Sequence, residues 1–188
     1  MSDLISVAIV GKSSQDLATS LNLSPVPLEE SDLAIFIVSA VDGIVRADID
    51  SWQFARDMYI PSIVVISETD DADLDFDDMT AIASKMLDPV ASKYLVLHSD
   101  TGAPTALIDL TTLKILDYST GVVAIIESDD EHKELVGEYV LEYQELLEQS
   151  GDDGFTRGLL FPALPWLKAS NLGLDQIKEL INQIPAAG

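Results

Sequence analysis

The densest run of chemically capable side chains is Asp70-Asp71-Ala72-Asp73-Leu74-Asp75-Phe76-Asp77-Asp78. Asp71, Asp73 and Asp75 have the one-apart spacing of a calcium loop. Such a loop also needs a glycine at its sharp turn and a bidentate glutamate at its end. Phe76 and Ile82 stand at those places, so the run reads instead as a solvated acidic loop leading into a helix. The histidines, His98 and His132, lie on different elements without a second ligand at metal-binding spacing. No Gly-x-Ser-x-Gly elbow accompanies the serines. Asp42 and Asp109 read as turn and strand-end residues with backbone partners. These residues lead us to expect no cofactor, no metal and no catalytic group.

The elements that would carry them alternate. Leu33 to Val38 is apolar without interruption, the signature of a strand buried on both faces of a parallel sheet. Ile5 to Val10 precedes it, and Ile63 to Ile66 follows it. Helices are expected over 16–21, 48–58 and 77–87. In the second of these Trp52, Ala55 and Tyr59 share a face. Pro61 and Pro89 close the last two. From Lys93 the pattern changes. Strand-like runs at 94–97, 105–110, 113–118 and 122–126 are joined by turns too short for crossover helices, so they pair antiparallel. A long helix is expected over 129–149, a returning strand within 157–164 and a last helix over 172–184. The division is a core of residues 1–92 and 155–188 with an inserted subdomain at 93–154.

Composition narrows the function classes. The 188 residues are 47% hydrophobic, enough for a full core, and contain no cysteine, so disulfides and thiolate metal sites are excluded. The N-terminus lacks a basic region before an apolar one, and no run approaches the length of a membrane span. A cytoplasmic protein is expected. Ten basic residues against 33 acidic give a formal charge of −23. Nucleic-acid affinity comes mainly from cations displacing counterions, so direct contact with nucleic acid is not expected. Anionic membrane is disfavoured for the same reason.

Five segments, in order, resemble the GTP-binding domain of elongation factor G and its relatives. Val7-Ala8-Ile9-Val10-Gly11 stands where that family has its first strand and phosphate loop. Asp32 to Gly43, with Trp52 and Ile60 to Ile66, is similar to its fourth strand, helix and guanine-reading strand. Ala106 to Leu110 with Lys114 and Tyr118, and the acidic helix 129–149, resemble its extra subdomain. Leu160 to Leu164 and the helix ending at Ile184 resemble its closing strand and helix. The resemblance implies a P-loop NTPase-like three-layer α/β domain, its sheet mostly parallel, with a small antiparallel α+β insertion.

The family's nucleotide-binding residues are not matched. A phosphate loop is Gly-x4-Gly-Lys-Ser/Thr: glycines for close backbone approach, lysine for the β/γ-phosphates, a hydroxyl for Mg²⁺. Counted from Gly11, those last positions hold Asp16, Leu17 and Ala18. Lys12 follows the first glycine directly and cannot replace the missing lysine without a rebuilt loop. Residues 22–32 contain no Asp-x-x-Gly. The Asn-Lys-x-Asp guanine reader aligns with Ser67-Glu68-Thr69-Asp70, where only the aspartate remains. The closing Ser-Ala turn aligns near Leu167-Lys168.

Gly11, Lys12, Ser13, Ser14, Asp16 and Asp70 are therefore vestigial positions. The expectation is a non-catalytic elongation factor G-like protein, a pseudo-GTPase acting as a protein-interaction module around the translation machinery. The alternative is a GTP-binding protein or GTPase whose rebuilt loop holds phosphate with Lys12, Ser13 and Ser14. Loss of the switch strands would bring strand 33–38 nearer a sheet edge, inviting a partner chain or a homodimer. Val26, Leu28, Trp52 and Phe54 are candidates to cover that edge. Equally, residues 22–32 could fold back over it alone.

Overall fold

The computed structural model describes residues 5–67 and 75–185. In chain order the elements are β1 (Val7–Val10), α1 (Ser14–Leu21), β2 (Leu33–Ser39), α2 (Arg46–Asp57), β3 (Ser62–Ser67), α3 (Phe76–Met86) and β4 (Val90–Ser92). There follow β5 (Tyr94–His98), β6 (Pro104–Asp109), β7 (Lys114–Asp117), β8 (Ala124–Glu127), α4 (Asp130–Leu135), α5 (Gly137–Ser150), β9 (Phe161–Trp166) and α6 (Leu174–Ile181).

Five strands form a parallel sheet in the order β1-β2-β3-β9-β4. The unbroken apolar runs of β2 and β3 occupy its interior, and Leu33 to Val38 and Ile63 to Ile66 are all buried. Trp52 fixes α2 to the sheet. Its ring packs edge-on against Phe36 and Phe161, with centroids 5.0 Å away in each case. Its indole N–H donates to Asp88 Oδ2 at 2.8 Å. Arg56 shares that oxygen at 2.9 Å and lies 4.4 Å above the Phe161 ring. Helices α2 and α3 cover this face, while α1 and α6 lie together against the other. Asp75 caps α3 by accepting from the Asp78 N–H at 3.0 Å.

A separate antiparallel sheet has the order β5-β6-β7-β8. Its alternation serves two layers. Tyr94, Val96, Leu107 and Tyr118 join the main core, and the Tyr118 hydroxyl donates to Gln176 on α6 at 3.0 Å in a buried bond. Leu95 and Ile108 face the other way, against Val136, Val140 and Tyr143.

Several expectations need correction. β4 was not anticipated; three residues behind Pro89 are too few to show a period. The helix expected over 129–149 breaks at Val136, whose side chain is buried, and restarts at Gly137. Leu135 and Tyr139, whose helical spacing with Tyr143 predicts one shared packing face, are 70% and 41% exposed. Tyr59 falls beyond α2 in a left-handed turn at φ 54°. β2 lies one strand in from an edge, flanked by β1 and β3. The exposed edge belongs to β1, and residues 22–32 fold back over it, the Val26 N–H donating to the Val7 carbonyl at 3.0 Å. Trp52 is in the core rather than on that edge.

Candidate functional site

In open α/β sheets the carboxyl ends of the strands are where ligands bind. Here that rim gathers the positions singled out in the sequence. β1 ends at Val10, and only Gly11, Lys12 and Ser13 separate it from α1. Gly11 has φ 110°, and a Cβ there would lie 2.5 Å from the Ile37 carbonyl oxygen on β2. The glycine is thus required by packing against the neighbouring strand. Ser13, at φ 64°, makes no capping bond with its side chain.

Both cations at this rim already have partners. Lys12 Nζ lies 2.6 Å from Asp42 Oδ1. Asp42 also accepts from the Ser39 hydroxyl at 3.2 Å, and Lys12 is the main cause of its lowered pKa. The Asp42 carboxylate is thus held by the Lys12 and Ser39 side chains, where backbone partners were expected. Asp16, in the first turn of α1, accepts from Lys168 Nζ at 2.9 Å. Its negative charge also complements the positive end of the helix dipole. Lys168 comes from the loop after β9, 152 residues away in the chain.

The next two positions face inward. Leu17 and Ala18 are both 0% exposed and belong to the main core. On the far side of the rim Trp166 ends β9 opposite Ser67. Its ring is 2% exposed and its indole N–H has no acceptor. Asp70 and most of the acidic run from Asp70 to Asp78 lie outside the described residues. Of that run, Asp75 is the α3 cap and Phe76 is buried.

Two concavities open away from this rim. A cavity of about 450 Å³ lies where the two sheets and α6 meet, lined by Lys93, Tyr94, Tyr143, Phe155, Gln176 and Glu179 among others. Lys93 Nζ is 3.3 Å from both the Tyr94 hydroxyl and Asp109 Oδ2. Burial alone would lower the Lys93 pKa; these two partners outweigh it and raise it. Asp109 further accepts from the backbone N–H groups of Thr111 and Thr112, at 2.7 and 3.2 Å. A second groove, of about 320 Å³, separates α3 from α5. Asp77 lines it, its pKa pushed up to about 6 by desolvation and then by the Asp75 carboxylate. Sequence reasoning missed both concavities, because their walls come from segments far apart in the chain. Lys93 beside Tyr94 at the change of pattern was the one local signal.

His98 ends β5 in solvent, and His132 on α4 pairs with Asp129 at 2.6 Å. Among the described residues no group of three His, Cys, Asp or Glu side chains is placed to hold a metal. Nor is any described helix long and apolar enough to cross a membrane.

No protein-family model matches the chain, and no curated protein sequence matches it. Its architecture does recur among solved structures. A crystal structure of a protein from Thermus thermophilus matches 85% of this chain with a TM-score of 0.71 and 23% sequence identity. This chain spans 27% of that protein. At such an identity the likeness establishes the fold alone: a parallel α/β sheet with a separate antiparallel sheet.

Proposed function

We propose that this chain is a non-catalytic relative of the elongation factor G GTP-binding domain, a P-loop NTPase-like fold that works as a protein-interaction module. One observation carries the reading. The positions that would present lysine and a metal-binding hydroxyl to a triphosphate hold Leu17 and Ala18, both fully buried. Asp16 beside them places a carboxylate at the helix start and is satisfied by Lys168. A charge-assisted contact to phosphate contributes about 1.5–3 kcal/mol. Losing two such contacts and adding an anion removes most of the affinity a nucleotide site has.

The short turn supports the same reading. Three residues between β1 and α1 leave little chain to wrap a phosphate, and Lys12 is held by Asp42. The formal charge of −23 favours protein partners over nucleic acid. A setting around the translation machinery follows from the family resemblance and belongs to the proposal.

Isothermal titration with GTP and Mg²⁺ tests it. No heat of binding is expected at micromolar nucleotide. Micromolar affinity, with slowed amide exchange at Gly11 to Ser14, would overturn the reading in favour of a GTP-binding protein with a rebuilt loop.

A further inference from the structure

Among the described residues, the second sheet is covered on both faces as far as β7 and bare on both faces at β8. Ile115 on β7 packs under α5, and its neighbour Leu116 packs toward the main core. Their β8 partners are Ile126 and Ile125. These are 46% and 68% exposed, and the preceding Val122 and Val123 are 76% and 42% exposed. Ile125 and Ile126 thus meet solvent on the two sides of β8, and Val122 and Val123 add two exposed apolar side chains just before it.

β8 is also the last strand of its sheet, so one side of its backbone has no described strand beside it. Soluble proteins blunt such edges with lysine, proline, a bulge or a covering loop. β8 has no lysine and no proline, and its register with β7 is regular over all four pairs. β1 shows the contrast, since residues 22–32 cover its edge.

Charge identifies the occupant. Glu127 ends the strand, and Asp129, Asp130 and Glu131 follow after Ser128. The nearby lysines, Lys114 and Lys133, are held at 3.4 and 3.8 Å by Glu127 and Asp130. A second copy of this chain would bring −23 against −23 and its own carboxylates to the same strand end. A partner with cations there is complementary.

We propose that β8 is a docking edge for an extended segment of another protein, apolar at alternate positions and flanked by lysine or arginine. The segment adds a fifth strand: backbone bonds hold it, and alternate side chains against Ile125 and Ile126 set its register. This deepens the reading of an interaction module by naming its surface and partner class.

The test uses the full chain without nucleotide and two synthetic probes. Both peptides alternate valine and threonine; one has a lysine pair at each end, the other glutamate pairs. Amide exchange at residues 122–127 is expected to slow with the lysine peptide. Its affinity should exceed that of the glutamate twin by about tenfold and weaken with added salt. Ala124→Pro and Ile125→Lys should abolish the protection while circular dichroism stays unchanged. The proposal is overturned if the lysine peptide gives no protection, protects another surface, or binds the two variants equally well. Protection of 122–127 that grows with protein concentration alone would assign the edge to a second copy and also overturn it. Nucleotide binding would sink the pseudo-GTPase reading without touching this result, and an unbound β8 would do the converse.

Discussion

The carboxyl end of β1 and the free edge of β8 are opposites. At the first, every described cation has a carboxylate within hydrogen-bonding distance, and the side chains that could have faced a ligand are turned into the core. At the second, large aliphatic side chains lie in water beside a strand edge with no described strand next to it and a cluster of carboxylates. A site whose groups satisfy one another gains little from a ligand, because binding must first break what is already made. An edge that satisfies nothing has that free energy still to gain. The molecule's capacity for recognition is therefore expected at the inserted sheet, away from the rim where this fold class ordinarily binds.

The most severe challenge to this contrast is to rebuild the rim. Leu17→Lys introduces the residue type a phosphate loop uses, but at a position with no exposure. Burying an unpaired ammonium should cost about 4 kcal/mol or more, and we expect thermal unfolding far below that of the parent and no gain in GTP binding. A folded variant that binds GTP would show that the pocket is only masked. Gly11→Ala comes next. Its φ of 110° and the 2.5 Å approach to the Ile37 carbonyl should cost about 3 kcal/mol in denaturant unfolding.

Lys168→Ala removes the partner of Asp16, at a pair whose side chains are 63% and 51% exposed. A loss within about 1 kcal/mol is expected, so the rim should stay closed even without this ion pair. Ile125→Thr probes the opposite region. Since Ile125 is 68% exposed, stability should change by no more than about 0.5 kcal/mol, while capture of a basic-flanked strand falls.

The groove between α3 and α5 gives the smallest effect. The folded pKa of Asp77 is raised from 3.8 to about 6, so between those values the folded chain holds a proton that the unfolded chain releases. That contribution is complete below about pH 4 and is lost as pH rises through 6. Asp77→Asn keeps a neutral group throughout, so its stability relative to the parent should rise from about pH 4 to about pH 7. The carboxyl reaches solvent, so the slope should fall well short of that of a buried acid. Identical pH profiles would show that Asp77 titrates normally.

What the sequence disclosed follows from the range of the forces involved. β2 and β3 were legible because strands buried on both faces need no polar alternation. Leu17 and Ala18 were legible as misfits only against the phosphate loop that the family resemblance implies, counted from Gly11. The pairing of Asp16 with Lys168 was not, since 152 residues separate two ordinary surface charges. β8 was legible as an antiparallel strand but not as an exposed one. Val122 to Ile126 has the composition of a buried strand, and only the extent of the layers above and below it reveals that it is bare. The break at Val136 was hidden because Gly137 is compatible with either a helix interior or a restart.

Gly11 carries a wider consequence. Its missing side chain is demanded by the carbonyl of Ile37, a purely internal constraint. Descendants of this chain can therefore go on inheriting that glycine long after any ligand has gone. Its persistence in a lineage would testify to how closely two strands run, and would be poor testimony to nucleotide chemistry.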